Sequence, residues 1–263
     1  MNETAPDAAP GPVNRAQPEA GAGPGGAGAP ADAVRHIRSY AMRRGHITDA
    51  QRRAYAEVVP ALSLPAGAGH LDPLVIYRRN APLVLEIGFG MGETTAAIAR
   101  QHPEIDFLGV EVFVAGIGAL AKRVREAGLA NVRIIEHDAV AVVRSMIAPG
   151  SLHGIHVFFP DPWPKTRHHK RRLIAQPFVG LLAQCLRPGG TLHCATDWEN
   201  YAQQMLHVLA HEPLLHNLHA GYAPGPRSPW CERPTTKFHA RGTRLGHGVW
   251  DLVFERRSTP TRA

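Results

Sequence analysis

Cysteine is scarce in this chain of 263 residues: there are three, Cys185, Cys194 and Cys231. The number is odd and no C-x-x-C spacing occurs, which argues against both a disulfide framework and a zinc site. No stretch approaches the roughly 18 apolar residues that span a bilayer. The first residues also lack the charged head and apolar run of a signal peptide, so the expected location is the reducing cytoplasm. Acidic residues are outnumbered, 22 Asp and Glu against 29 Lys and Arg, for a formal charge of +7. That balance disfavours cationic ligands and favours polyanions, nucleic acid ahead of an anionic membrane surface. No internal repeat is present. What the chain does have is 44% hydrophobic residues, enough to fill the core of one generous domain.

Residues 1–33 are mostly Ala, Gly and Pro, a composition that buries too little surface to offset the entropy of ordering it. A disordered tail is expected there. Residues 34–75 read as a basic helical extension, with Thr48 capping a helix over "DAQRRAYAEVV". From residue 76 to 257, apolar strands alternate with amphipathic helices: "LVLEIGFG", "DFLGVEV", "VRIIEHD", "GIHVFFPD" and "GTLHCATD", each followed by a helix. The fourth of these helices is expected from about residue 172 to 185. Such alternation predicts a doubly wound α/β domain, a mostly parallel sheet with helices on both faces. Residues 221–247 lack periodicity, which marks a functional loop or disorder. "GVWDLVFERR" reads as a closing strand, and 258–263 as a short tail.

The first strand runs into "LEIGFGMGETT", which places Gly88, Gly90 and Gly92 at a strand-to-helix turn where a ligand can approach the backbone. Glu111 ends the second strand, about where an acid grips ribose hydroxyls. Asp138 follows the third strand, and Glu86 precedes the glycines. Several carboxylates suit a cationic sulfonium and repel a pyrophosphate, so the set favours S-adenosylmethionine over a dinucleotide. A plainer reading makes each acid a helix cap and the glycines a turn. The coincidence of all of them at one sheet edge, where open α/β sheets bind ligands, favours the cofactor.

Residues 157–172 read "VFFPDPWPKTRHHKRR". A buried strand delivers Asp161 to that same edge, and Pro160, Pro162 and Pro164 stiffen the loop around it. Trp163 either packs in the rim or contacts a base. Lys165, Arg167, Lys170, Arg171 and Arg172 are placed to track phosphates flanking a base held in the loop. No second cluster accompanies His168 and His169, so a metal is not expected.

These segments, with "GVEV", "HDAV", "ATDWENYA" and "TKFHARGTRLGHGVWDLVFER", resemble the bacterial tRNA (guanine-N7-)-methyltransferases from about residue 34 to 256. The PDPWPK-x-RHHKRR block and the TKF-x-x-R-G segment carry the specificity of the resemblance. It implies a seven-stranded Rossmann-like sheet with its last strand antiparallel, and contacts from Glu86, Glu111 and Asp138 to S-adenosylmethionine. It places Asp161 at the reaction centre and Lys165 and Asp197 against substrate RNA. It makes residues 167–172 (Arg167, His168, His169, Lys170, Arg171, Arg172) an RNA-interacting segment, and adds Thr236, Lys237 and Phe238 to the substrate site. The family usually has Glu after Thr-Lys-Phe; here His239 takes that place.

The implied reaction methylates N7 of the variable-loop guanosine at tRNA position 46, with tRNA as partner and no obligate protein partner. Two rivals stand beside it. A nicotinamide-dependent oxidoreductase needs the longer G-x-G-x-x-G spacing, and a noncatalytic RNA-binding subunit with a methyltransferase fold has no need of an intact cofactor edge.

Overall fold

The computed structural model describes residues 38–40, 46–67, 69–229, 231–234 and 248–258, all within one unit spanning Ile37–Ala263. The Ala/Gly/Pro-rich tail lies outside them, as does the closing stretch 259–263.

The main sheet has seven strands: β1 (Leu83–Ile87), β2 (Asp106–Glu111), β3 (Val132–Glu136), β4 (Leu152–Phe158), β5 (Leu186–Thr196), β6 (Leu215–Asn217) and β9 (Trp250–Arg256). Their spatial order is β3-β2-β1-β4-β5-β9-β6. The pairs among β1 to β5 are parallel, and β9 runs antiparallel to both β5 and β6. β7 (Arg227–Ser228) and β8 (Cys231–Glu232) form a separate two-stranded ribbon. The apolar runs read as parallel strands are buried on both faces, as such strands must be when crossover helices cover them.

Two apolar clusters flank the sheet. One packs Leu85, Ile87, Ile155, Val157, Leu192 and Leu252 beneath α5 (Ala139–Met146), α6 (Phe178–Cys185) and α7 (Glu199–Ala210). The other packs Val84, Phe107, Ile134 and Ala195 beneath α1 (Asp49–Leu62), α3 (Glu93–Gln101) and α4 (Val114–Ala127), while the short α2 (Pro73–Tyr77) leads into β1.

The predicted Thr48 cap is present. Its hydroxyl accepts from Gln51 N and the Gln51 side chain accepts from Thr48 N, a reciprocal box that satisfies two otherwise orphaned donors. A side chain at Gly118 on α4 would meet the Gln51 carbonyl, so this glycine lets α1 lie close against the domain.

The helix expected from about residue 172 begins later, at Phe178. Thr166–Arg171 forms a 3₁₀ turn, Arg172 is extended, and Pro177 occupies the cap position of α6. Proline suits a helix start, where its missing N–H has no intrahelical partner to lose, and Pro177 marks that start here.

Candidate active site

The strand order reverses between β1 and β4, and the crevice outside their carboxyl ends is where open α/β sheets take ligands. Gly88, Gly90 and Gly92 lie there with φ of 74°, 55° and 66°, left-handed values that cost a glycine little. Nothing lies within 4 Å of the side-chain direction at Gly88 or Gly90, so the loop presents bare backbone to open space. A Cβ at Gly116 on α4 would collide with the Gly90 carbonyl, so that glycine lets the loop rest on α4.

Glu111 braces this loop. One oxygen accepts from Gly90 N at 2.8 Å, and the other from Val112 N at 2.7 Å and Phe113 N at 3.0 Å. Asp138 caps α5, with Oδ1 accepting from Val140 N at 2.9 Å and Ala141 N at 3.2 Å. The plainer capping interaction is therefore present at Asp138, beside any contact to a ligand. Glu86 differs from both. It is 3% exposed, and its Oε2 has no hydrogen-bond partner among the described residues. Burial, reinforced by Glu111, pushes its carboxyl up to about 7. A carboxyl whose charged form is disfavoured chiefly by burial, against a smaller opposing effect of Thr95, suits an incoming cation.

Phe158 ends β4, and Phe159 N donates to the Ala195 carbonyl of β5 at 2.7 Å. Phe159 and Trp163 both take left-handed backbone, φ 53° and 46°. Non-glycine residues hold such conformations only where their surroundings enforce them. Asp161 thus sits midway in a turn strained on both sides. Trp163 is clamped: its indole N–H donates to the Ser39 carbonyl at 2.9 Å, and the Arg171 guanidinium covers one face at 3.9 Å from the ring centre. Of the two readings of Trp163, packing is the one visible.

The cationic run divides by direction. Lys165, Arg167 and Lys170 are exposed, while His168 and His169 are half-buried, with the His168 ring edge-on to Trp163. Arg171 Nε donates to the Arg38 carbonyl at 3.1 Å. Arg172 departs from the expectation of an RNA contact. It is 4% exposed and donates inward to Pro162, Gln204 and Asn200. Residue pattern alone cannot tell an outward from an inward cation at the end of a 3₁₀ turn. Asp197 is exposed between β5 and α7, at the same edge as Asp161. Thr236, Lys237, Phe238 and His239 lie outside the described residues.

One group escaped the sequence reading. Arg233, fully buried, contacts both oxygens of Asp251, and Asp251 Oδ1 accepts from His193 Nε2 at 2.8 Å. The Arg233 guanidinium also lies 5.1 Å from the Phe159 ring. Its members come from a loop, β9 and β5, which no local spacing connects. No cluster of three or more His, Cys, Asp or Glu able to hold a metal occurs among the described residues.

A seven-stranded sheet with one reversed strand, carrying a glycine loop and acids at the switch between β1 and β4, defines a Rossmann-like methyltransferase. Residues 80–252 match a family model described as a putative methyltransferase. Over 221 residues the chain is 61% identical to the tRNA (guanine-N(7)-)-methyltransferase of Bordetella parapertussis, covering 84% of this chain and 85% of that protein. It is 57% identical over 223 residues to the protein of the same name from Paraburkholderia xenovorans, covering 85% and 84%. Among solved structures it is similar to the 16S rRNA methyltransferase KamB, with TM-score 0.48 and 14% identity over 82% of this chain and 97% of that one. The chain belongs to the tRNA (guanine-N7-)-methyltransferase family.

Proposed function

We propose that the chain transfers the methyl group of S-adenosylmethionine to N7 of a guanosine in tRNA, at position 46 of the variable loop. The observation that carries this reading is the strained Asp161 turn standing at the sheet edge that also holds the glycine loop and the buried Glu86. The residues fit the cofactor. Glu86 offers an unsatisfied buried oxygen to a cation, Gly88 and Gly90 leave room for a ligand against the backbone, and Glu111 and Asp138 place two further acids along the same edge. When bound, S-adenosylmethionine supplies an electrophilic methyl that guanine N7, an in-plane lone pair without a proton, takes with no general base.

The protein's task is then to position and to stabilise charge. Asp161 accepts hydrogen bonds from the N1 and exocyclic amino groups of the guanine and binds it more strongly as the ring turns cationic. Lys165, Arg167 and Lys170 meet the flanking phosphates, and Asp197 bounds the base pocket. Residues 76–257 form the methyltransferase domain in this reading, with 34–75 as an N-terminal extension. We place the protein in the cytoplasm, beside its substrate; no described helix is long and apolar enough to cross a membrane.

The test is incubation with unfractionated tRNA and labelled S-adenosylmethionine, followed by nucleoside analysis and mapping. Labelled 7-methylguanosine is expected, and it disappears when the guanosine at position 46 is replaced. Binding of tRNA without any methylated nucleoside favours the noncatalytic subunit instead.

A further inference from the structure

Arg172 closes the cationic run, yet it is the member that solvent does not reach. The 3₁₀ turn ends at Arg171, and the extended backbone at Arg172, φ −61° and ψ 131°, turns its side chain under the loop. There Nε donates to the Pro162 carbonyl at 2.9 Å, Nη1 to Gln204 Oε1 at 2.6 Å and Nη2 to Asn200 Oδ1 at 2.9 Å. The guanidinium lies 4.7 Å from the centre of the Tyr201 ring, whose hydroxyl accepts from Ile174 N. These three hydrogen-bond acceptors are neutral, so the charge is held by oriented dipoles.

We propose that Arg172 is a positioning residue for methyl transfer, a bracket that joins the Asp161 turn to the start of α7. The inference rests on the methyltransferase reading above. The Pro162 carbonyl lies between Asp161 and Trp163 in the chain, so holding it fixes the plane of the peptide that leads into the strained Trp163. Asn200 and Gln204 lie four residues apart, on one side of α7, and α7 begins at Glu199, two residues after Asp197. One planar fork therefore sets the two acid-bearing loops relative to each other. Lysine, a point charge on a flexible stem, cannot reach three separated acceptors at once. Misplacing a reacting group by about an ångström costs up to about a hundredfold in rate. A phosphate contact would instead add about one unit to the salt dependence of RNA binding.

The experiment compares Arg172→Gln, Arg172→Lys and Arg167→Gln, measuring kcat, KM for tRNA, S-adenosylmethionine affinity and the slope of tRNA affinity against salt. Formation of 7-methylguanosine by the unmodified protein is scored first, so failure of the underlying reading is seen separately. Arg172→Gln is expected to lower kcat about tenfold or more, with the salt slope and both affinities unchanged, and Arg172→Lys to restore little of it. Arg167→Gln is expected to flatten the slope by about one unit. A flattened slope in Arg172→Gln, an unchanged kcat, or a parallel loss of S-adenosylmethionine affinity overturns the proposal. If Arg172→Gln does not fold, Asn200→Ala decides. It removes an exposed partner and is expected to lower kcat about threefold at constant slope, whereas an unchanged kcat sinks the bracket.

Discussion

Arg233 and Asp251 meet in the core with one guanidinium nitrogen between both carboxylate oxygens, at 3.0 and 2.8 Å. They are 1% and 4% exposed, so neither charge is compensated by water. Burial pushes the Asp251 carboxyl up, but His193 and Arg233 more than offset it and hold it below the usual carboxylate range. Burial likewise keeps His193 neutral, so its Nε2 carries the proton that Asp251 accepts. The ion pair secures residue 233, three positions ahead of Thr236, over the Phe159 ring.

Arg233→Met should leave Asp251 buried without its counter-charge, at a cost of about 3 to 5 kcal/mol. For a domain of this size that lowers Tm by about 10 °C at neutral pH, readable by calorimetry. The sign with pH follows from the depressed carboxylate. Its contribution is present above the unfolded carboxylate value and is lost as pH falls through the folded one, so the gap between variant and parent closes in acid. A constant gap would show that the carboxylate is not the titrating partner.

Glu86 behaves in the opposite sense. Its carboxyl holds a proton up to about 7 in the folded chain against 4.5 for the ordinary group. The unfolded chain releases that proton first, so this group lowers stability as pH rises from about 4.5 to about 7 and has no further effect above. A bound cation favours the ionised form. Affinity for S-adenosylmethionine should therefore rise by up to about tenfold per pH unit below 7, with proton release on binding. Calorimetry in buffers of different ionisation enthalpy measures both, and Glu86→Gln should abolish the slope. A wild-type affinity that does not vary between pH 6 and 8 would remove Glu86 from the cofactor site.

Asp161→Asn should lower kcat by about a hundredfold or more while S-adenosylmethionine binds as before, because the lost charge acts on the cationic guanine. The pH optimum should stay in place, since N7 gives up no proton. A wild-type rate limb that tracks one carboxylate and vanishes in the mutant would identify a general base instead.

Neutralising Arg167 and Lys170 together should reduce the salt slope of tRNA binding by up to about two units. Both are exposed, and the effect should be equal across tRNA sequences, as phosphate contacts carry no base information. Filter binding between low and moderate salt checks it, and an unaltered slope returns these residues to a solvated face.

The strands were legible because parallel strands buried on both faces read as unbroken apolar runs, and the Thr48 cap because its chemistry is local. β6 was not, since Leu-His-Asn is too short to show any period. The late start of α6 was hidden because a cationic 3₁₀ turn and a helical first turn share a composition. At the site, the glycine loop and the Asp161 turn announce themselves by residue type and spacing. The inward turn of Arg172 and the meeting of Arg233, Asp251 and His193 do not, because each depends on chain segments that come together only when the sheet is complete. Glu111 was recognisable as an acid at the right strand end, but its grip on Gly90 N needed the fold.

The reversed strand between β5 and β6 also sets an order of events during synthesis. β5 is made well before β9, and until residues 250–256 emerge from the ribosome its outer edge has no partner. Asp251 belongs to that same late segment, so Arg233 and His193 wait for it too. A chain still being translated therefore lacks both the partner of that strand edge and the carboxylate that holds Arg233 until its closing residues are made.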